Sequence, residues 1–160
     1  MDDSGAGRGT SPVSVFDRII ERQLEEITSI ANGADDPVDA LTQMVLHHLG
    51  FALADREHLT SWRQEFRTLP PEDAWRLRRM QRLYVEEWVQ VVGEVRPDLS
   101  DAEARAAVHA TLALLHSPTE YKSGLPSEAL TPLLTNMALG ALQGAGREAP
   151  PRPMAGEVPQ

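Results

Sequence analysis

From Ser14 to about residue 143 the apolar positions recur at steps of three to five residues, and no stretch alternates with the period of two that a strand requires. The pattern predicts an all-α chain, a bundle of about six helices. The first runs from Ser14, where Ser14 and Asp17 make a capping-box-like start, along the stripe Val15, Ile19, Ile20, Leu24, Ile27 and Ile30 to Asn32-Gly33. The second opens on Asp36-Pro37 and reaches about Ala54 through Leu41, Met44, Val45, His48, Leu49 and Ala52. A short third helix is expected over residues 58–69, with Leu59, Trp62 and Phe66 on one face. The fourth starts at Pro70-Pro71-Glu72-Asp73 and stops before Pro97; Leu77, Met80, Tyr84, Trp88, Val91 and Val95 hold its period. Ser100 and Glu103 form a capping box for the fifth, which should end near His116, ahead of Ser117-Pro118. The sixth spans about Pro126 to Leu142. Pro132 requires either a later start at Thr131 or a kink.

Outside these helices the character changes. Residues 1–13 are rich in Gly, Ser and Asp and read as a flexible lead-in; residues 145–160 are Pro-rich and read as a disordered tail. That leaves a single helical domain over residues 14–144. The fifth and sixth helices carry small residues in rows, Ala102, Ala106, Ala110 and Ala113 on one and Met137, Gly140 and Ala141 on the other. Small side chains let helix axes approach closely, within a chain or between two.

Composition narrows the function classes. With 24 acidic against 15 basic residues the net charge is -9, unsuited to a surface built to hold phosphates. The absence of cysteine removes thiolate metal sites, cysteine nucleophiles and disulfides. There is no signal-peptide pattern and no apolar run long enough for a membrane span, so a cytoplasmic protein without membrane contact is expected. Lys122 is the only lysine.

Few residues suggest chemistry. No nucleophile elbow, P-loop or His-Glu-x-x-His motif occurs, and neither an enzyme, a cofactor nor a metal is expected. His47 and His48 project about 100° apart on one helix and cannot easily share an ion. His47 and His58 read as solvated surface, whereas His48 and His109 lie near apolar stripes, as pocket groups or as hydrogen-bonded core histidines. Arg76, Arg78, Arg79 and Arg82 sit among carboxylates and read as a salt-bridged face, with an arginine at a pocket mouth as the other reading. The aromatic set Phe51, Trp62, Phe66, Trp75, Tyr84 and Trp88 suits either an apolar pocket or a plain core.

The stretch from Phe51 to His116 resembles the C-terminal domain of TetR-type transcriptional regulators. The residues that carry the resemblance are Phe51-Ala-Leu-Ala-Asp-Arg-Glu57, Leu69-Pro-Pro-Glu-Asp73, Arg78 to Val85 with Trp88, and Arg96-Pro-Asp-Leu-Ser-Asp-Ala-Glu103 continuing to Ala110. Leu125 to Leu130 and Met137-Ala-Leu139 fit the last helix, so the likeness extends over roughly residues 14–143. It implies that the first four helices enclose a cavity for a small hydrophobic or amphipathic effector, with His48, Phe51, Trp62, Phe66, Met80, Tyr84, Trp88 and His109 as ligand-binding residues. It also implies a homodimer joined through Ala102, Ala106, Ala110, Ala113, Met137, Gly140 and Ala141. In such regulators the effector alters the spacing of two DNA-reading heads. The lead-in here, with Pro12 and three glycines, has no helix-turn-helix pattern. The expectation is therefore a truncated or stand-alone sensor domain without direct nucleic-acid binding. The alternative is a helical interaction protein that pairs with an intact regulator. His116, where an asparagine is expected, and Pro132 depart from the family pattern.

Overall fold

The computed structural model describes residues 12–54, Leu59 and 66–144. Among these, five α-helices and one short turn of 3-10 helix make up the fold: α1 (Pro12–Gly33), α2 (Pro37–Ala54), the 3-10 turn Phe66–Thr68, α3 (Pro71–Val95), α4 (Asp101–Glu120) and α5 (Ser127–Gly144). The fourth, fifth and sixth helices expected from the sequence are thus α3, α4 and α5. Most of the expected third helix, including Trp62, lies outside the described residues, as do the tail and the lead-in up to residue 11.

Helix α2 organises the rest. It is apolar nearly all round, and such a helix has to be enclosed. It contacts α1, α3, α4 and α5. Ala40, Leu41, Met44, Val45, His48, Leu49 and Ala52 are buried along it. Around it gather Ile27 of α1, Trp88 and Val92 of α3, Val108 and Leu115 of α4, and Ala138 and Leu142 of α5, in one contiguous core. On α5 the buried residues Leu130, Leu134, Ala138 and Leu142 fall every four positions and lay that helix against α2 and α4.

Three helix ends differ from expectation. Helix α1 begins at Pro12, two residues before Ser14, since proline in a first turn sacrifices no needed N–H. Helix α4 does not stop at His116 but runs through Pro118 to Glu120. Pro118 cannot donate to the Leu114 carbonyl, yet its ring is buried, and the Thr119 hydroxyl (2.8 Å to the His116 carbonyl) and the Tyr121 N–H (3.0 Å to the Ser117 carbonyl) close the final turn. Helix α5 starts at Ser127 and is continuous through Pro132. That proline is exposed, so water reaches the Glu128 carbonyl it leaves without a donor.

The ends of α4 and α5 are pinned. At the start of α4 the Glu103 N–H donates to Ser100 Oγ (3.3 Å) and the Ser100 N–H to the Glu103 carboxylate (2.8 Å), the capping box read from the sequence. In the turn before it, Arg96 is buried. Its Nη1 donates to the Leu142 and Gln143 carbonyls (3.0 and 2.9 Å), while Nε and Nη2 clasp Asp98 (2.7 and 2.6 Å). One guanidinium thus caps the negative end of α5 and ties it to the α3–α4 turn. Two further ion pairs join helices at the surface, Arg76 of α3 to Asp17 of α1 and Arg105 of α4 to Glu86 of α3.

Candidate functional site

A half-open cavity of about 540 Å³ lies between α1, α2, α3 and α4, within the size range of small-molecule sites. Helix α1 contributes Phe16, Ile19, Ile20 and Gln23, one face at steps of three and four. Helix α2 supplies His48 and Phe51; α3 supplies Gln81, Tyr84 and Val85. Helix α4 presents a second such face, His109, Leu112, Ala113, His116 and Thr119, and Leu59 completes the wall. The lining is mostly apolar with a few placed polar groups.

Those polar groups are connected. His48 Nδ1 lies 2.7 Å from the Tyr84 hydroxyl, and His48 Nε2 lies 2.9 Å from His116 Nε2. A single chain of hydrogen bonds therefore crosses from α3 through α2 to α4. Two neutral arrangements satisfy it. In one, the Tyr84 O–H donates to His48 Nδ1 and the His48 Nε2–H donates to His116; in the other, both bonds run the opposite way. Either way a single proton occupies the space between the facing Nε2 atoms.

Burial, reinforced by the neighbouring charges of His116 and His47, holds the His48 imidazole well below its ordinary pKa of 6.5, so it is neutral. Burial pushes the Tyr84 phenol above its usual range, the indole N–H of Trp88 opposing this slightly. Trp88 itself is fully buried behind the chain, edge-on to His48 (centroids 6.0 Å apart, planes at 88°). Its Nε1 has no partner in hydrogen-bonding geometry among the described residues. The rings of His48 and His116 are 4.7 Å apart at a 36° tilt. On the α1 side, His47 Nε2 sits 2.9 Å from Gln23 Oε1 and 3.3 Å from a Glu26 carboxylate oxygen, which fixes Gln23 in the wall.

The structure brings His48, Phe51, Tyr84 and His109 of the sequence-derived candidates to the wall. Trp88 belongs to the core instead, because its position on α3 turns it onto α2. Phe66 lies under the Arg78 guanidinium, 5.4 Å from ring centroid to Cζ, and Met80 is half-buried away from the cavity. Trp62 is outside the described residues. His47, read as solvated surface, is half-buried and ties α2 to α1. Of the arginine run, Arg76 is paired with Asp17 and Asp73, and Arg79 and Arg82 are exposed. None of these arginines lines the cavity.

The α1 face, Gln81 and His116 were not among the ligand-binding residues expected from the sequence. The step from His109 through Leu112 and Ala113 to His116 was a usable signal for the α4 wall; nothing in the pattern distinguished the α1 stripe from ordinary core. Of the residues expected at a subunit interface, Ala102, Ala106, Ala110, Met137, Gly140 and Ala141 are all solvent-exposed in the single chain. Ala113 is exposed as well, but it lines the cavity mouth. Among the described residues no cluster of three or more potential metal ligands occurs, and no helix is long and apolar enough to cross a membrane.

No protein of curated function matches the chain. Among solved structures it is similar to a transcriptional regulator of the TetR/AcrR family from Thermobifida fusca YX-ER1. The TM-score is 0.67 at 20% identity, over 79% of this chain and 70% of that one, which establishes a shared fold. The family model described as "Tetracyclin repressor-like, C-terminal domain" matches residues 34–120, more than half of the sequence and all of α2, α3 and α4. The chain therefore belongs to the tetracycline-repressor-like family of transcriptional regulators and carries that family's C-terminal domain.

Proposed function

We propose that this domain is the effector-binding and dimerisation part of a TetR-type regulator. The cavity takes a small apolar or amphipathic molecule, and α4 with α5 docks against the same pair of a second copy. The observation that carries the reading is the Tyr84–His48–His116 chain at the wall of an otherwise apolar cavity. A ligand seated there touches side chains of four helices at once. It can therefore bias their relative positions, and it does so only by its differential affinity for the alternatives.

Helix α4 links the two roles. His109, Ala113 and His116 face the cavity, while Ala102, Ala106 and Ala110 face outward beside them. On α5, Leu133 (46% exposed) and Met137 (49%) stand out in solvent, and a Cβ added at Gly140 would meet nothing within 4 Å. That glycine is not required by packing inside the chain; it leaves room for a close approach from outside. With a net charge of -9, the domain is assigned no DNA contact of its own.

Two measurements test the proposal. Size-exclusion chromatography with light scattering should give a dimer at micromolar concentration; a clean monomer sinks the dimer assignment. A thermal-shift screen of apolar compounds should find stabilising ligands, since one present at about 100 times its Kd adds about 2.7 kcal/mol. Silence across a broad library would favour a helical interaction protein that has no effector.

A further inference from the structure

We infer that the molecule this cavity takes carries a carbonyl oxygen on an apolar body, and that the side-chain amide of Gln23 donates the hydrogen bond that receives it. The inference rests on the cavity being the effector site and adds the chemical class and the residue that selects it.

Gln23 stands on the α1 face of the wall, one turn beyond Ile19 and Ile20, and is 6% exposed. A buried carboxamide brings one acceptor oxygen and two N–H donors, and each costs stability unless it finds a partner. The oxygen has one. His47 Nε2 lies 2.9 Å from Gln23 Oε1 and 3.3 Å from a Glu26 carboxylate oxygen. A carboxylate only accepts, so it selects the form of His47 with its proton on Nε2. That N–H then donates to Gln23 Oε1. The opposite orientation of the amide would set two N–H groups against each other. Because the amide is planar, holding Oε1 on His47 also fixes Nε2.

Gln23 Nε2 has no partner among the described residues. It is also not one of the fully enclosed atoms without a partner, which are Trp88 Nε1, Thr111 Oγ1 and Thr135 Oγ1. A donor neither paired nor sealed, on a buried side chain of the wall, opens onto the cavity. The other buried polar residue among the described lining is His48, whose ring nitrogens are engaged by Tyr84 and His116. The Thr119 hydroxyl is engaged by the His116 carbonyl. At Gln23, therefore, a ligand gains a hydrogen bond without breaking one. Since Oε1 is occupied, an O–H or N–H of the ligand finds no acceptor there. A carbonyl needs none, because it only accepts. An alcohol oxygen can accept as well, but its own hydrogen then needs a partner in a mostly apolar cavity. A hydrocarbon of the same shape leaves the amide donor unpaired. Affinity should fall in that order.

The test uses the whole chain and two matched sets of probes: benzylacetone, its alcohol and butylbenzene, and fluorenone, fluorenol and fluorene. Calorimetry gives the affinities, and heteronuclear NMR of the chain labelled at glutamine reports on the Gln23 side-chain amide. Each ketone should bind about tenfold or more tightly than its hydrocarbon, the cost of leaving a buried donor unpaired. The Gln23 amide proton should move downfield with the ketones and not with the hydrocarbons. Gln23→Met, which keeps the length of the side chain and removes the donor, should abolish the preference while the hydrocarbons still bind. Because the amide resonance is read on the unaltered protein, the outcome does not depend on that variant folding. Ketones binding no better than hydrocarbons, or a preference that leaves the Gln23 amide unmoved, would overturn this inference and leave the cavity reading standing. Failure of every probe to bind would overturn both.

Discussion

Acid should destabilise this fold in a pH range where most proteins of similar size are least sensitive, and His48 is the reason. Its side chain is 4% exposed, and its ring nitrogens are within hydrogen-bonding distance of Tyr84 and His116. The folded state therefore holds this imidazole unprotonated far below 6.5, the value at which it takes a proton in the unfolded chain. Below that value the unfolded chain binds one more proton than the fold. Stability then falls by up to about 1.4 kcal/mol per pH unit, and the loss stops growing only at the depressed pKa of the folded state. Between neutrality and about pH 5 the loss amounts to about 2 kcal/mol, a substantial part of the roughly 5–15 kcal/mol that holds a domain together. The paired carboxylates Glu86 and Glu103 are also shifted downward, below 4.5, so their contributions are lost only in stronger acid and do not obscure this window. The assay is urea denaturation followed by helical circular dichroism at a series of pH values and one fixed protein concentration. The concentration matters because a dimer's stability depends on it. His48→Gln keeps a donor and an acceptor but cannot titrate. It should cost stability at neutral pH and flatten the acid slope, so that the two proteins converge as pH falls. A wild-type stability that is level between about pH 7 and 5, or a slope that survives in the variant, would refute the reasoning, because the missing proton would then belong to another group.

Three further outcomes follow from the packing. Arg96→Met removes the donors that hold the Leu142 and Gln143 carbonyls and the Asp98 carboxylate. It should lower the melting temperature by circular dichroism, and Arg96→Lys should recover only part of the loss, because an ammonium cannot span both sets of acceptors as a planar fork does. Leu115→Ala, at a position with 0% exposure, should cost about 2–5 kcal/mol in chemical denaturation. Leu133→Glu combined with Met137→Glu should leave the helical spectrum unchanged, since both side chains are about half exposed, yet give a monomer by light scattering; a persistent dimer would move the interface elsewhere.

The expected and observed structures part company where local rules meet long-range ones. The Ser100–Glu103 capping box and the Pro37 and Pro71 helix starts were legible because each is decided within one helical turn. Pro118 was expected to end α4 by the same local logic, but a buried ring overrode it. The apolar run of α2 pointed to a central helix, since no one-sided packing could bury it. By contrast, Tyr84 and Trp88 stand one turn apart on α3 and read alike in sequence, yet one reaches the cavity and the other the core. Their difference lies in the few degrees by which α3 is rotated against α2 and α4, and a hydrophobic period does not encode that angle.

What the residues determined on their own is the five long helices, the absence of thiol chemistry, the acidic character of the chain and the helices that carry small outward rows, because each depends on composition or on neighbours three or four positions away. What only the tertiary structure decided is which residues meet. His48 and His116 are separated by 68 positions, His48 and Tyr84 by 36, and Arg96 and Leu142 by 46. Contacts across such separations exist only once the core has set the helix axes, and no periodicity along the chain carries a mark of the partner a side chain will find.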